Sequence, residues 1–171
     1  MSRAPHDREP ERFDSPIPLD VRSDHGCFGC GRLNPHGLRL QFVQTAPAEV
    51  RAEFVPRREH EGFAGVIHGG IVATLLDEAM AWAAFAADVW VVTARIEVRF
   101  RRPLTTGDPV RVIGRVGDAR SRLVQAAGRV ERAADGALLA EANGAFVRVP
   151  PEQAAAWRAQ YLGDDATAVG R

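Results

Sequence analysis

Two adjacent carboxylates, Asp77 and Glu78, lie in the most apolar stretch of the chain, residues 67–87, IHGGIVATLLDEAMAWAAFAA. An unpaired buried charge costs several kcal/mol, so each acid is expected either to face water or to have a chemical task. The stretch opens with His68, Gly69 and Gly70. At a helix start, Gly69 and Gly70 would present backbone N–H groups that have no intrahelical acceptor. With the positive end of the helix dipole, such groups hold a developing oxyanion. Two glycines equally permit a tight loop-to-helix turn, so both readings stand on these residues alone.

On a helical wheel Asp77 falls among Ala73, Thr74, Ala81 and Ala84, with Leu75, Ala79 and Trp82 on the far side. These small neighbours allow close approach by a strand, a helix or a ligand. Glu78 points instead toward Thr74, Trp82 and Phe85. Gly69 and Asp77 are eight residues apart, roughly 12 Å along a helix. One carbonyl cannot touch both in the same chain. A catalytic reading therefore requires two antiparallel helices from two chains, which is a homodimer with shared sites and the commonest kind of oligomer.

The elements around this stretch alternate in a simple way. HGLRLQFV (36–43) and AEVRAEFV (48–55) read as two strands joined by a turn, the second alternating Val50, Ala52 and Phe54 with Arg51 and Glu53. Residues 57–66 read as a loop. Residues 71–87, Ala-rich and nearly free of breakers, read as one long helix. Four strand-like runs follow, at 90–100, 108–117, 122–132 and 137–149, punctuated by Gly and Pro turns. The order predicts an α+β fold with about six antiparallel strands around one central helix. Residues 1–22, rich in Pro and charge, are expected to form a flexible N-terminal arm, and 23–150 the domain. In 151–171 a short helix is expected to precede a frayed tail.

HGGIVATLLDEAMAWA resembles the signature of hotdog-fold acyl-CoA thioesterases of the PaaI-like branch, with Asp77 nine residues after His68. CFGCGRLNPHGLRLQF upstream and TARIEVRFRRPLTTGDPVRVIGRV downstream are similar to the same family, so the likeness spans about residues 27–149. The resemblance implies a sheet-wrapped helix paired into a double hotdog, often a tetramer. It implies that Gly69 or Gly70 polarises the thioester carbonyl and that His68 shapes that end of the site. It also implies that Asp77 is the nucleophile or the general base for water. A Ser or Thr downstream assists in several members, and Thr93 occupies that place. Some members carry Asn or Gln at the position that here is Gly62, beside Glu61. Both are expected to border the substrate. Strand parity sets a tension for Thr93: with Ile96, Val98 and Phe100 on one face, it should lie on the other with Arg95, Glu97 and Arg99, so either that face lines the dimer interface or Thr93 is outside the site.

Arg101 and Arg102, at a strand end, are candidates for docking coenzyme A phosphates. His60 reads as a structural loop residue. Cys27 and Cys30, with His25 and His36 nearby, could bind zinc, but a Cys-x-x-Cys without a second ligand pair at finger spacing favours packing. A redox pair is disfavoured because no helix follows to lower a thiol pKa. No metal and no cofactor are expected, since hydrolysis asks only for a base, a water and an oxyanion site. Lys+Arg and Asp+Glu both number 22, which argues against a nucleic-acid partner. The two acids argue against residues 67–87 crossing a membrane. The first residues lack the apolar run of a secretory signal, so a cytoplasmic location is expected. The sequence therefore predicts an acyl-CoA thioesterase acting on an acyl- or aryl-acyl-CoA. The alternative is a non-catalytic acyl-CoA binding protein on the same fold. A hotdog hydratase is a third reading, for which the required His–acid pattern is not found.

Overall fold

The computed structural model describes residues 13–19, 21–117, 119 and 121–162. The central helix, α1 (Gly69–Ala86), buries Val72, Leu75, Leu76, Ala79, Met80, Ala83 and Ala84. These recur at three- and four-residue steps, the spacing that makes one apolar stripe on a helix. His68 caps its start, its Nδ1 accepting the Gly70 N–H at 2.9 Å. By length and composition α1 could cross a membrane, but its stripe is the core of a sheet.

The sheet has seven strands: β1 (Ile17–Pro18), β2 (Val43–Ala46), β3 (Glu49–Phe54), then, beyond α1, β6 (Val91–Phe100), β7 (Val110–Val116), β8 (Leu123–Arg132) and β9 (Leu138–Arg148). Their order is β1-β2-β3-β7-β8-β9-β6, with every neighbouring pair antiparallel. β3, β6, β7, β8 and β9 all contact α1. A short 3-10 turn (Arg58–His60) and a hairpin of β4 (Glu61–Phe63) and β5 (Val66–Ile67) lead into the helix. A final helix, α2 (Pro151–Leu162), leans Trp157 and Tyr161 on Trp90. The architecture is α+β, a curved antiparallel sheet around one helix, as the element order predicts.

The sheet departs from the expected one in three places. The strand expected from residue 36 begins only at Val43. Arg39 is left-handed (φ 55°), which interrupts an extended strand, and Leu38 and Leu40 donate their N–H groups to Phe28 and Gly29 instead of to a sheet. Residues 57–66, expected as loop, hold the β4–β5 hairpin. Within the expected arm, Ile17 and Pro18 pair with β2 as a seventh strand; the rest of that expectation at 1–12, and the tail at 163–171, lie outside the described residues.

Glycines let the helix sink into the sheet. A Cβ at Gly114 on β7 would lie 2.0 Å from the Ala79 carbonyl oxygen of α1. Opposite it on β8, Gly128 would meet Leu76 at 3.2 Å. Gly114→Ala must therefore push strand and helix backbones apart. Urea unfolding should show a loss of about 3 kcal/mol, the upper part of the usual overpacking range. A loss under about 1 kcal/mol would mean that α1 does not seat this closely on β7.

Candidate active site

Asp77 is half-buried on α1, and the Thr93 hydroxyl donates to its Oδ1 at 2.8 Å. Burial raises the Asp77 carboxyl above its ordinary pKa, and the Thr93 hydrogen bond works against that rise. Strand parity placed Thr93 on the opposite face. The structure corrects this: the β6–β9 register slips between Thr93 and Arg95. The extra residue of this bulge inverts the side-chain alternation, so Thr93 points at Asp77. Ile96 and Val98 keep their partly buried places.

At the start of α1 the two glycines differ. The Gly70 N–H is taken by the His68 ring, which corrects its candidacy as an oxyanion donor. The Gly69 N–H has no acceptor among the described residues. With Nδ1 accepting, a neutral His68 ring carries its proton on Nε2, on an exposed side chain. Gly62 backs that ring; a Cβ there would come within 3.1 Å of His68, so the family's amide side chain could not stand there without moving the imidazole. Glu61 is turned to the neighbouring loop, accepting from the Thr106 hydroxyl at 2.7 Å.

Gly69, Arg101 and Arg102 line one cavity of about 300 Å³ with Phe100, Pro103 and Val66. Both arginines are exposed; Arg101 is paired with Glu141 through its Nε at 3.0 Å. The structure thus collects two groups on one chain: Gly69, His68, Arg101 and Arg102 at the helix start, and Asp77 with Thr93 two turns along.

Residues 64–138 match the family described as Thioesterase superfamily. Over these residues the chain is similar to the thioesterase superfamily. Its sheet-wrapped helix is the hotdog fold of that superfamily. The chain is 28% identical over 93 residues to a Bos taurus protein named acyl-coenzyme A thioesterase THEM4, covering 54% of this chain and 38% of that one. The chain therefore spans well under half the length of this curated relative. The E. coli PaaI protein from the phenylacetic acid degradation operon shares the fold at TM-score 0.61 and 17% identity, over 66% of this chain and 81% of that one. So does a hypothetical thioesterase of Streptococcus pneumoniae solved with coenzyme A, at TM-score 0.60 and 13% identity, over 64% and 85%. That thioesterase has also been solved with an aspartate, and separately a threonine sixteen positions later, replaced by alanine.

A second cluster, which the sequence does not disclose, joins α1 to the segment before β2. Glu78, on the flank of α1 away from Asp77, meets the two cysteines. The Cys27 sulphur lies 3.8 and 3.9 Å from its two oxygens, and Trp82 Nε1–H donates to Oε1 at 3.1 Å. Burial pushes Glu78 up to about 7. The neighbouring Cys30 lowers the Cys27 thiol, while Cys27 and burial raise that of Cys30. Next to this cluster, α1 and α2 enclose an aromatic cavity of about 260 Å³ lined by Trp82, Phe85, Trp90, Trp157 and Tyr161. His36 is exposed, its backbone N–H bonded to Asn34 Oδ1 in a turn. His60 is buried against Phe54 and accepts from Arg57, a structural place as expected. The signal for the cluster was the wheel position of Glu78 beside Trp82, which had no connection to a cysteine pair 51 residues upstream.

Proposed function

We propose that this chain hydrolyses an acyl- or aryl-acyl-CoA thioester to a free acid and coenzyme A, as a homodimer with sites shared between chains. The observation that carries this reading is the half-buried Asp77 held by Thr93 on a helix whose start leaves the Gly69 N–H open. Gly69 would donate to the thioester oxygen, with His68 Nε2–H beside it. Asp77 of the other chain would take a proton from water as the water oxygen bonds to the carbonyl carbon. Collapse of the oxyanion expels the coenzyme A thiolate, which recovers the proton. As a nucleophile, Asp77 would first form a mixed anhydride that water then opens. Both routes need the same two groups. Arg102, at the cavity beside Gly69, suits the coenzyme A phosphates.

Four observations support this reading. The names of the bovine and streptococcal relatives point to thioester chemistry and coenzyme A. The aspartate and threonine altered in the streptococcal protein have the spacing of Asp77 and Thr93. The ten-residue β6 is an edge strand, and a long open edge is a template for pairing with a second copy. Val92 and Phe100 on it are 46% and 58% exposed.

Release of coenzyme A thiol from a panel of short, medium and aryl-acyl thioesters tests the proposal. Turnover of at least one is expected. Binding without release would make the protein a carrier instead, and neither binding nor release would remove the proposal. Thr93→Val keeps the shape of the side chain but removes a hydrogen bond to a charged group, which contributes about 1.5–3 kcal/mol. It should lower kcat at least about tenfold. An unchanged kcat would mean that Thr93 only packs.

A further inference from the structure

Thioester hydrolysis leaves Cys27, Cys30 and Glu78 without a task. Their donor atoms, two sulphurs and a carboxylate oxygen, all lie within 4.8 Å of one another. The turn that presents the sulphurs is closed by the Gly31 N–H donating to the Cys27 carbonyl at 3.0 Å. It is too tight for a side chain at Gly31, where a Cβ would sit 2.2 Å from the His25 carbonyl oxygen. Gly29, inside the turn, has the same constraint toward the helix: a Cβ there would lie 2.3 Å from Glu78 Oε2. Two glycines thus shape a loop that closes on a carboxylate, which packing alone does not call for.

The distances fit a small tetrahedral ion. Zinc bonds of about 2.3 Å to sulphur and about 2.0 Å to oxygen place those atoms about 3.5 Å apart. The Cys27 sulphur is 3.8 and 3.9 Å from the Glu78 oxygens. The Trp82 N–H at 3.1 Å holds the carboxylate from behind, the kind of outer contact that orients a metal ligand. Thiolates select a soft or borderline ion over calcium or magnesium. Both cysteines are free.

We propose that Cys27, Cys30 and Glu78 bind one zinc ion, through two thiolate sulphurs and one carboxylate oxygen, with the fourth position open to the aromatic cavity between α1 and α2. The thiols release their protons to solvent as the metal binds. The ion ties the irregular segment before β2 to the middle of α1, across 51 positions of sequence.

The test uses the full chain under a phosphine reductant, so that the thiols stay reduced. After exposure to zinc and gel filtration, elemental analysis should find about one zinc per chain. Cys27→Ser and Glu78→Gln should each retain less than about a fifth of that under the same conditions. Cobalt(II) added to metal-free wild-type protein should give thiolate-to-cobalt charge-transfer absorption with tetrahedral visible bands. That reading needs no variant and so stands even if Cys27→Ser fails to fold. Substoichiometric zinc, zinc undiminished in folded Cys27→Ser, or cobalt without a thiolate band would each overturn the proposal. None of these readings depends on thioester hydrolysis.

Discussion

Asp77→Asn should lower kcat by about a thousandfold, or ~4 kcal/mol of barrier, while the protein stays folded. The amide has nearly the shape of the carboxylate and can still accept the Thr93 hydrogen bond. It can neither take a proton from water nor attack a carbonyl carbon. Burial raises the Asp77 carboxyl, so the ionised form is costly to hold and its replacement by a neutral amide should not destabilise α1. Steady-state kinetics beside thermal unfolding of the same preparation would check both halves of the prediction. A variant that keeps more than about a tenth of wild-type kcat has lost under ~1.4 kcal/mol, and Asp77 would then not be the reacting group. Glu78→Gln should affect turnover less, because Glu78 faces Cys27 and Trp82 rather than Thr93. The opposite ranking would move the chemistry to Glu78.

Gly69→Val should cost about a hundredfold in kcat, in the range lost when an oxyanion donor is removed. The backbone N–H remains, but the branched side chain covers the approach to it. The fold has room at this position: a Cβ at Gly69 would meet only the Phe100 ring, at 3.4 Å. The same change at Gly70 is less informative, since its N–H already belongs to His68. If Gly69→Val turns over at the wild-type rate, the helix start does not hold the carbonyl oxygen.

Much of this molecule follows from local pattern. The apolar stripe of α1, the four long strands after it and the helix starting at Pro151 are each specified by residues within the element. What the pattern misses is set by contacts distant in sequence or by a single backbone irregularity. Leu38, Leu40 and Phe42 alternate like a strand and are buried like one, yet the Leu38 and Leu40 N–H groups bond to the cysteine loop because Arg39 turns left-handed. Parity does not place Thr93, because a one-residue bulge has no marker in the residues that form it. The difference between Gly69 and Gly70 depends on which N–H the His68 ring reaches. Glu78 and the cysteines meet only when the N-terminal segment folds over the helix.

The central claim, that Gly69 and Asp77 serve one carbonyl from two chains, is tested most directly by mixing the two inactive variants. Along one helix the groups are roughly 12 Å apart, whereas an oxyanion donor must come within about 3 Å of its acceptor. An Asp77→Asn chain keeps an intact Gly69, and a Gly69→Val chain keeps an intact Asp77. In a mixed dimer one site receives both intact groups and the other receives both lesions. Random exchange makes half the dimers mixed, so about a quarter of all sites should recover wild-type turnover. Subunit exchange is established by co-purification of differently tagged chains. Recovery near that fraction is the predicted result. Activity that stays at the level of the inactive parents, with exchange confirmed, would contradict the shared site.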